Sequence, residues 1–276
     1  MTNGYVPIDE VAGQGKAYRL WRKPPITAGN PIIILVHGAV VPMLVPNVLH
    51  DPNTINNEKY CFYQLDSLLY NDFHYNVFTF EYADWPILDR GSVNYHVLAP
   101  YGESLIDAIG IAKEKSMTQG GTVGPVYVIA HSVGGLIARY AVQDPRVRPI
   151  NKIITLDTGH RGFELAKIAD EIVVDPLKAL IPLPTPCSED AAPNSDFVNA
   201  LNAGFAACPP LVSLAATQPI PPSGLGMELP PIPITVVDLE SSNMGQVHPL
   251  PYNHMSIAQI RDASHGAYQI IRRCFG

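Results

Sequence analysis

The run from Val126 to Gly135 reads Val-Tyr-Val-Ile-Ala-His-Ser-Val-Gly-Gly, and it leaves the chain few choices. Val126, Tyr127, Val128 and Ile129 are β-branched or aromatic and follow the breaker pair Gly124-Pro125, so they predict a strand. Leu136 to Ala141 suit a helix that must stop at Asp144-Pro145. No linker separates the two, so the chain turns sharply at Ser132, whose backbone is expected to be strained. Residues two before and two after it must be small to clear the neighbouring strand and helix, and Ala130 and Gly134 are. Such a turn lifts the Ser132 hydroxyl to the sheet edge and opens the helix with the N–H of Val133. The pattern is that of a nucleophile elbow, G-x-S-x-G, with Ala130 in place of the first glycine.

A strand that feeds a helix directly is the unit of an α/β fold, and the chain repeats it. Ile32 to Val36 is a continuous apolar run, expected as a strand buried on both faces of a parallel sheet. Tyr75 to Tyr82 and Asn151 to Asp157 are predicted strands, as is Ile234 to Asp238, with a short last strand near Val247. Helices are expected over Lys59 to Tyr70, Tyr101 to Met117 and, closing the chain, Met255 to Cys274. Tyr5 to Pro25 reads as an edge hairpin, and Val41 to Asn57 as a proline-interrupted loop. From Phe163 to about Pro231 the pattern changes: helical fragments, Glu164 to Ala169 and Phe197 to Phe205, alternate with proline-rich linkers. This stretch is expected to be an apolar lid or cap between two sheet strands. The whole, residues 1–276, is expected to be a single α/β domain with that insertion at about 163–231.

The net charge of −7, with no Lys/Arg cluster, argues against a nucleic-acid partner. No apolar run is long enough to span a bilayer, and the N-terminus lacks a signal peptide, so a cytoplasmic location is expected, with a secreted mature form left open. Cys61, Cys187, Cys208 and Cys274 lack metal or redox spacing. Free thiols are expected, with a Cys187–Cys208 bond as the alternative.

Chemistry in an open α/β sheet sits where the strands end. The predicted strand ending at Val36 runs into His37-Gly38-Ala39, and the N–H of Ala39 is expected to complete an oxyanion hole with that of Val133. His37 and His160 are expected to brace loops, and His131 to point away from Ser132.

In this order of motifs the chain resembles the α/β-hydrolase superfamily, most closely its lipase and esterase branch. The resemblance rests on V-H-G at Val36 to Gly38, A-H-S-V-G-G at Ala130 to Gly135 and T-x-H-R-G at Thr158 to Gly162. It rests also on S-x-F-x-x-x-L-N at Ser195 to Asn202 and N-H-M-S-I at Asn253 to Ile257. It implies the α/β-hydrolase fold, a mostly parallel central sheet flanked by helices with an inserted lid. It also implies a catalytic triad in the order Ser, acid, His. His254, in a loop before the last helix, is the implied base, ahead of His248 and of His265 in the expected helix. For the acid, Asp157 after the strand beyond the elbow stands just ahead of Glu240, with Asp238 third.

The implied activity is a serine hydrolase acting on small carboxylic esters with a hydrophobic acyl or alcohol group, through an acyl-enzyme, with no cofactor or metal. The same residues would serve a thioesterase, amidase or deacylase. A non-catalytic shell holding an apolar ligand is the reading from another class.

Overall fold

The computed structural model describes residues 6–8, 18–38, 62, 64–82, 98–163, 186–219 and 237–275. Eight strands form one sheet: β1 (Val6–Pro7), β2 (Tyr18–Arg22), β3 (Ile32–Val36), β4 (Asn76–Tyr82), β5 (Val126–His131), β6 (Lys152–Leu156), β7 (Leu211–Ala216) and β8 (Gln246–Leu250). Their spatial order is β1-β2-β4-β3-β5-β6-β7-β8. β3 to β8 run parallel, and the β1–β2 and β2–β4 pairs are antiparallel, so the expected edge hairpin closes one side.

Side chains alternate across a strand, and both faces of the central strands are apolar. Ile32, Ile34 and Val36 of β3, with Val128 of β5, pack under α2 (Leu98–Lys115) and α3 (Gly134–Gln143). Ile33 and Leu35, with Ile129, face α1 (Leu65–Phe73) and the closing helix α7 (Gly266–Phe275). The short helices α4 (Pro186–Ala191), α5 (Asp196–Ala203) and α6 (Leu239–Ser242) lie between β6 and β8 in the chain. The chain leaves β3 for β4 on one side and returns to β5 on the other. The strand order therefore reverses at β3 and β5, and the crevice beyond their carboxyl ends is where such sheets carry ligands.

Several expectations shift. Leu211–Ala216, inside the stretch read as one lid, is a central strand paired with both β6 and β8. It carries a single β-branched residue, Val212, beside Ser213 and two alanines, so its local preference is weak and its place comes from tertiary pairing. Residues 164–185 and 220–236 of that stretch, including the fragment expected over Glu164 to Ala169, lie outside those described. So do residues 234–236 of the strand expected to Asp238; Val237 and Asp238 are not in a strand, and the Asp238 carboxylate caps α6 through the Ser241 N–H. α1 starts at Leu65 rather than Lys59 because Phe62 and Gln64 are left-handed, which a helix does not admit.

α7 starts at Gly266 rather than Met255. The Asn253 side chain accepts from the N–H groups of Met255 and Ser256, and Asp262 accepts from that of Ser264; these local bonds hold turns where periodicity suggested helix. His265 therefore stands ahead of the helix, its ring stacked on Tyr252 at 4.2 Å. Cys208 and Cys274 carry free thiols.

Candidate active site

Three strands that end at the carboxyl edge, β5, β6 and β8, lead into the residues of the candidate site. β5 ends at His131, and Ser132 follows with φ of 53°, the left-handed conformation expected of a sharp elbow. Holding an L-residue there costs roughly 1–2 kcal/mol, a strain kept where the surroundings over-determine the backbone. Its neighbours do so. The Ser132 N–H donates to Leu156 O at 3.0 Å, and its carbonyl accepts from Thr158 Oγ1 and from Gly135 N–H, both at 2.9 Å. Val133 then opens α3, and the positive end of the helix lies behind Ser132.

The small residues are there for contact. A Cβ on Gly134 would stand 2.1 Å from His37 O, and one on Gly38 would stand 2.7 Å from Ser132 Cβ. The elbow and the His-Gly loop thus touch through glycines. Gly134→Ala is expected to destabilise the fold by about 2–3 kcal/mol, seen as a lower urea midpoint at unchanged m. Gly110→Ala, exposed in α2 with open space around the added Cβ, should raise stability by about 0.5–1 kcal/mol instead.

Asp157 follows β6 and is also left-handed, with φ of 45°. It is 1% exposed. Its Oδ1 accepts the Ala216 N–H at 2.9 Å, and its Oδ2 meets His254 Nδ1 at 2.7 Å. A carboxylate facing Nδ1 places the proton there, which leaves the Nε2 lone pair of a neutral His254 open. His254 is itself 8% exposed, in the turn after β8. A cavity of about 230 Å³ opens beside the pair, lined also by Thr217, Gln218, Asp238 and Leu239. Leu239 and Met255, the residue after His254, are among the few large apolar side chains that stay exposed in the described residues.

Of the carboxylates weighed from sequence, the structure brings Asp157 to His254. Glu240 is 83% exposed and pairs with Arg161 at 3.2 Å. Asp238 lines the cavity, but its Oδ1 is taken by the Ser241 N–H at 2.6 Å. Among the described residues no hydrogen bond joins Ser132 Oγ to His254; catalytic bonds are commonly long before substrate arrives. Ala39 lies outside the described residues, and its N–H is not placed.

His37 and His160 brace loops as expected. The His37 ring stacks on Tyr82 at 4.3 Å and its Nδ1–H donates to Gly38 O at 2.7 Å. His160 Nε2 lies 2.9 Å from Thr155 Oγ1 and 3.1 Å from Ser213 Oγ, and burial drives its pKa well down.

One residue went unnoticed in the sequence outright, as did the partner of another. Arg139, fully buried on α3, donates to His160 O, Leu201 O and Asn202 Oδ1 at 2.9–3.1 Å. It thereby ties the T-x-H-R-G turn and the S-x-F-x-x-x-L-N helix to the elbow helix, and burial pulls its pKa down to about 10. The signal was a lone arginine in an otherwise apolar helix. The other is His131, whose ring lies 4.7 Å from that of His254.

This architecture is the α/β-hydrolase fold. The mature form of a lipase from Bacillus licheniformis superposes with a TM-score of 0.59 at 12% identity, over 92% of this chain and 96% of the lipase. An esterase from Pyrococcus furiosus matches with a TM-score of 0.57 at 13% identity, over 94% of this chain and 86% of that one. An esterase from the archaeon Pyrobaculum calidifontis gives 0.52 at 13% identity, over 98% and 82%. No protein-family model matches the chain, and no curated protein matches it in sequence. Among the described residues no helix is long and apolar enough to cross a membrane.

Proposed function

We propose that the protein is a serine hydrolase that cleaves carboxylic esters through Ser132, His254 and Asp157. The observation that carries this reading is the buried 2.7 Å contact between His254 Nδ1 and Asp157 Oδ2, at the same sheet edge as a left-handed serine. Lipases and esterases of the same fold support it.

His254 Nε2 takes the Ser132 proton as Oγ attacks the ester carbonyl. The N–H groups of Val133 and Ala39 receive the oxyanion, and removing one such donor costs about 3 kcal/mol in the barrier. The carbonyl re-forms as the C–O bond to the alcohol breaks, and His254 gives its proton to that oxygen. Water, deprotonated by His254, then cleaves the acyl-enzyme and restores Ser132. Asp157 holds His254 in the Nδ1–H tautomer and offsets the charge of the imidazolium.

The preferred substrate carries a hydrophobic acyl or alcohol group. Exposed Leu239, which lines the cavity, supports this, since an apolar side chain at the rim of a cleft gains by covering apolar substrate. Turnover of p-nitrophenyl esters across acyl lengths tests it: kcat/KM should rise by about 10-fold or more from acetate to a medium-chain ester, at roughly 0.8 kcal/mol per buried methylene. A flat or falling series would remove the hydrophobic-substrate part of the reading.

A further inference from the structure

The residue before the candidate nucleophile reaches the loop of the candidate base. His131 Nε2 lies 2.8 Å from the backbone carbonyl of His254, and both groups are buried. A carbonyl only accepts, so the proton of that ring sits on Nε2. From this geometry we infer that His131 is a positioning residue: its Nε2–H pins the His254 backbone so that the His254 ring meets Asp157.

Among the described residues no other hydrogen bond reaches the His254 carbonyl. The turn that carries His254 lies between β8 and α7 and is braced by reciprocal bonds between Asn253 and Ser256. Asp157 grips the ring from one side. His131 holds the main chain, and it stands at the end of β5, one residue before Ser132. One strand end therefore sets both the serine and the height of the base above it. The arrangement also suits the charge that develops on His254. Burial, with His254 next in weight, pushes the His131 pKa down to about 3, so this ring stays neutral 4.7 Å from a ring that must become cationic. The loss of turnover expected below rests on the hydrolase reading; the positioning of His254 does not.

The test compares wild type, His131→Leu and His131→Gln by two readouts. Leucine fills much of the space without a donor, whereas glutamine places an amide N–H near the Nε2 position. The first readout is the proton NMR resonance of the His254 Nδ1–H, assigned by its absence in His254→Gln and recorded without substrate. The second is steady-state ester hydrolysis. The leucine variant is expected to lose or broaden the resonance and to drop kcat about 10- to 100-fold with KM within twofold, in line with the cost of a slightly misplaced catalytic group. The glutamine variant should keep the resonance and recover kcat to within about fivefold of wild type, as expected for a restored donor. A leucine variant like wild type in both readouts, or a glutamine variant as damaged as leucine, would overturn the inference. If no protein turns over esters while the resonance behaves as described, the hydrolase reading falls and the positioning of His254 stands. Should His131→Leu not fold, His131→Asn, whose amide is one methylene too short, takes its place with the same expectation.

Discussion

Asp157→Asn is expected to lower kcat for ester hydrolysis by about four orders of magnitude, and Glu240→Gln to leave it within about twofold. The two carboxylates were nearly level in the sequence, and their surroundings separate them. Asp157 is buried and bonded twice, by the Ala216 N–H at Oδ1 and by His254 at Oδ2. An asparagine in its place keeps an oxygen for the Ala216 N–H and turns its NH₂ toward His254. That group donates, so Nδ1 must accept and the proton moves to Nε2, the nitrogen that has to receive the Ser132 proton. The base is then in the wrong tautomer with hardly an atom displaced. Glu240 pairs with Arg161 at the surface, where such pairs do little. Steady-state kinetics of both variants, with melting curves to show that each is folded, checks this. Equal losses, or a loss confined to Glu240→Gln, would move the acid elsewhere.

Ser132→Ala is expected to abolish turnover, by a factor on the order of 10⁴–10⁶, since the proposed Ser132, His254 and Asp157 would act as a unit. Binding should survive. An ester or a product acid ought to protect the alanine variant against thermal unfolding about as well as it protects the wild type, because Ser132 is not among the residues that line the cavity. A variant that retains more than about one part in a hundred of the activity would show that catalysis runs through another group.

The elbow could be read from the sequence because everything it needs is local. A β-branched strand, small residues at two fixed offsets and a helix that ends at Asp144-Pro145 lie within a single stretch. β3 was legible for a similar reason, as five consecutive apolar residues that alternate between two cores. For the candidate acid the sequence put Asp157 only just ahead of Glu240, since the choice depends on which strand ends the sheet brings near His254. β7 was hidden by composition: Ser213 and two alanines belong in a strand only because β6 and β8 flank them. The start of α7 was lost to side-chain turns at Asn253 and Asp262, which compete with a helical pattern that buried Ile257 and Ile260 supply. The role of His131 was not legible, because its partner, His254, comes from the far end of the chain.

The central claim is that His254 and Asp157 make Ser132 a nucleophile. Its most direct measurement is the rate at which a serine-directed fluorophosphonate labels the protein, with the modified residue located by mass spectrometry in wild type and Asp157→Asn. The account predicts a single adduct, on Ser132, and labelling slowed by at least about 100-fold in the asparagine variant, in proportion to its loss of base catalysis. A wild type that takes no label at Ser132, or an Asp157→Asn variant that labels at the wild-type rate, would contradict it.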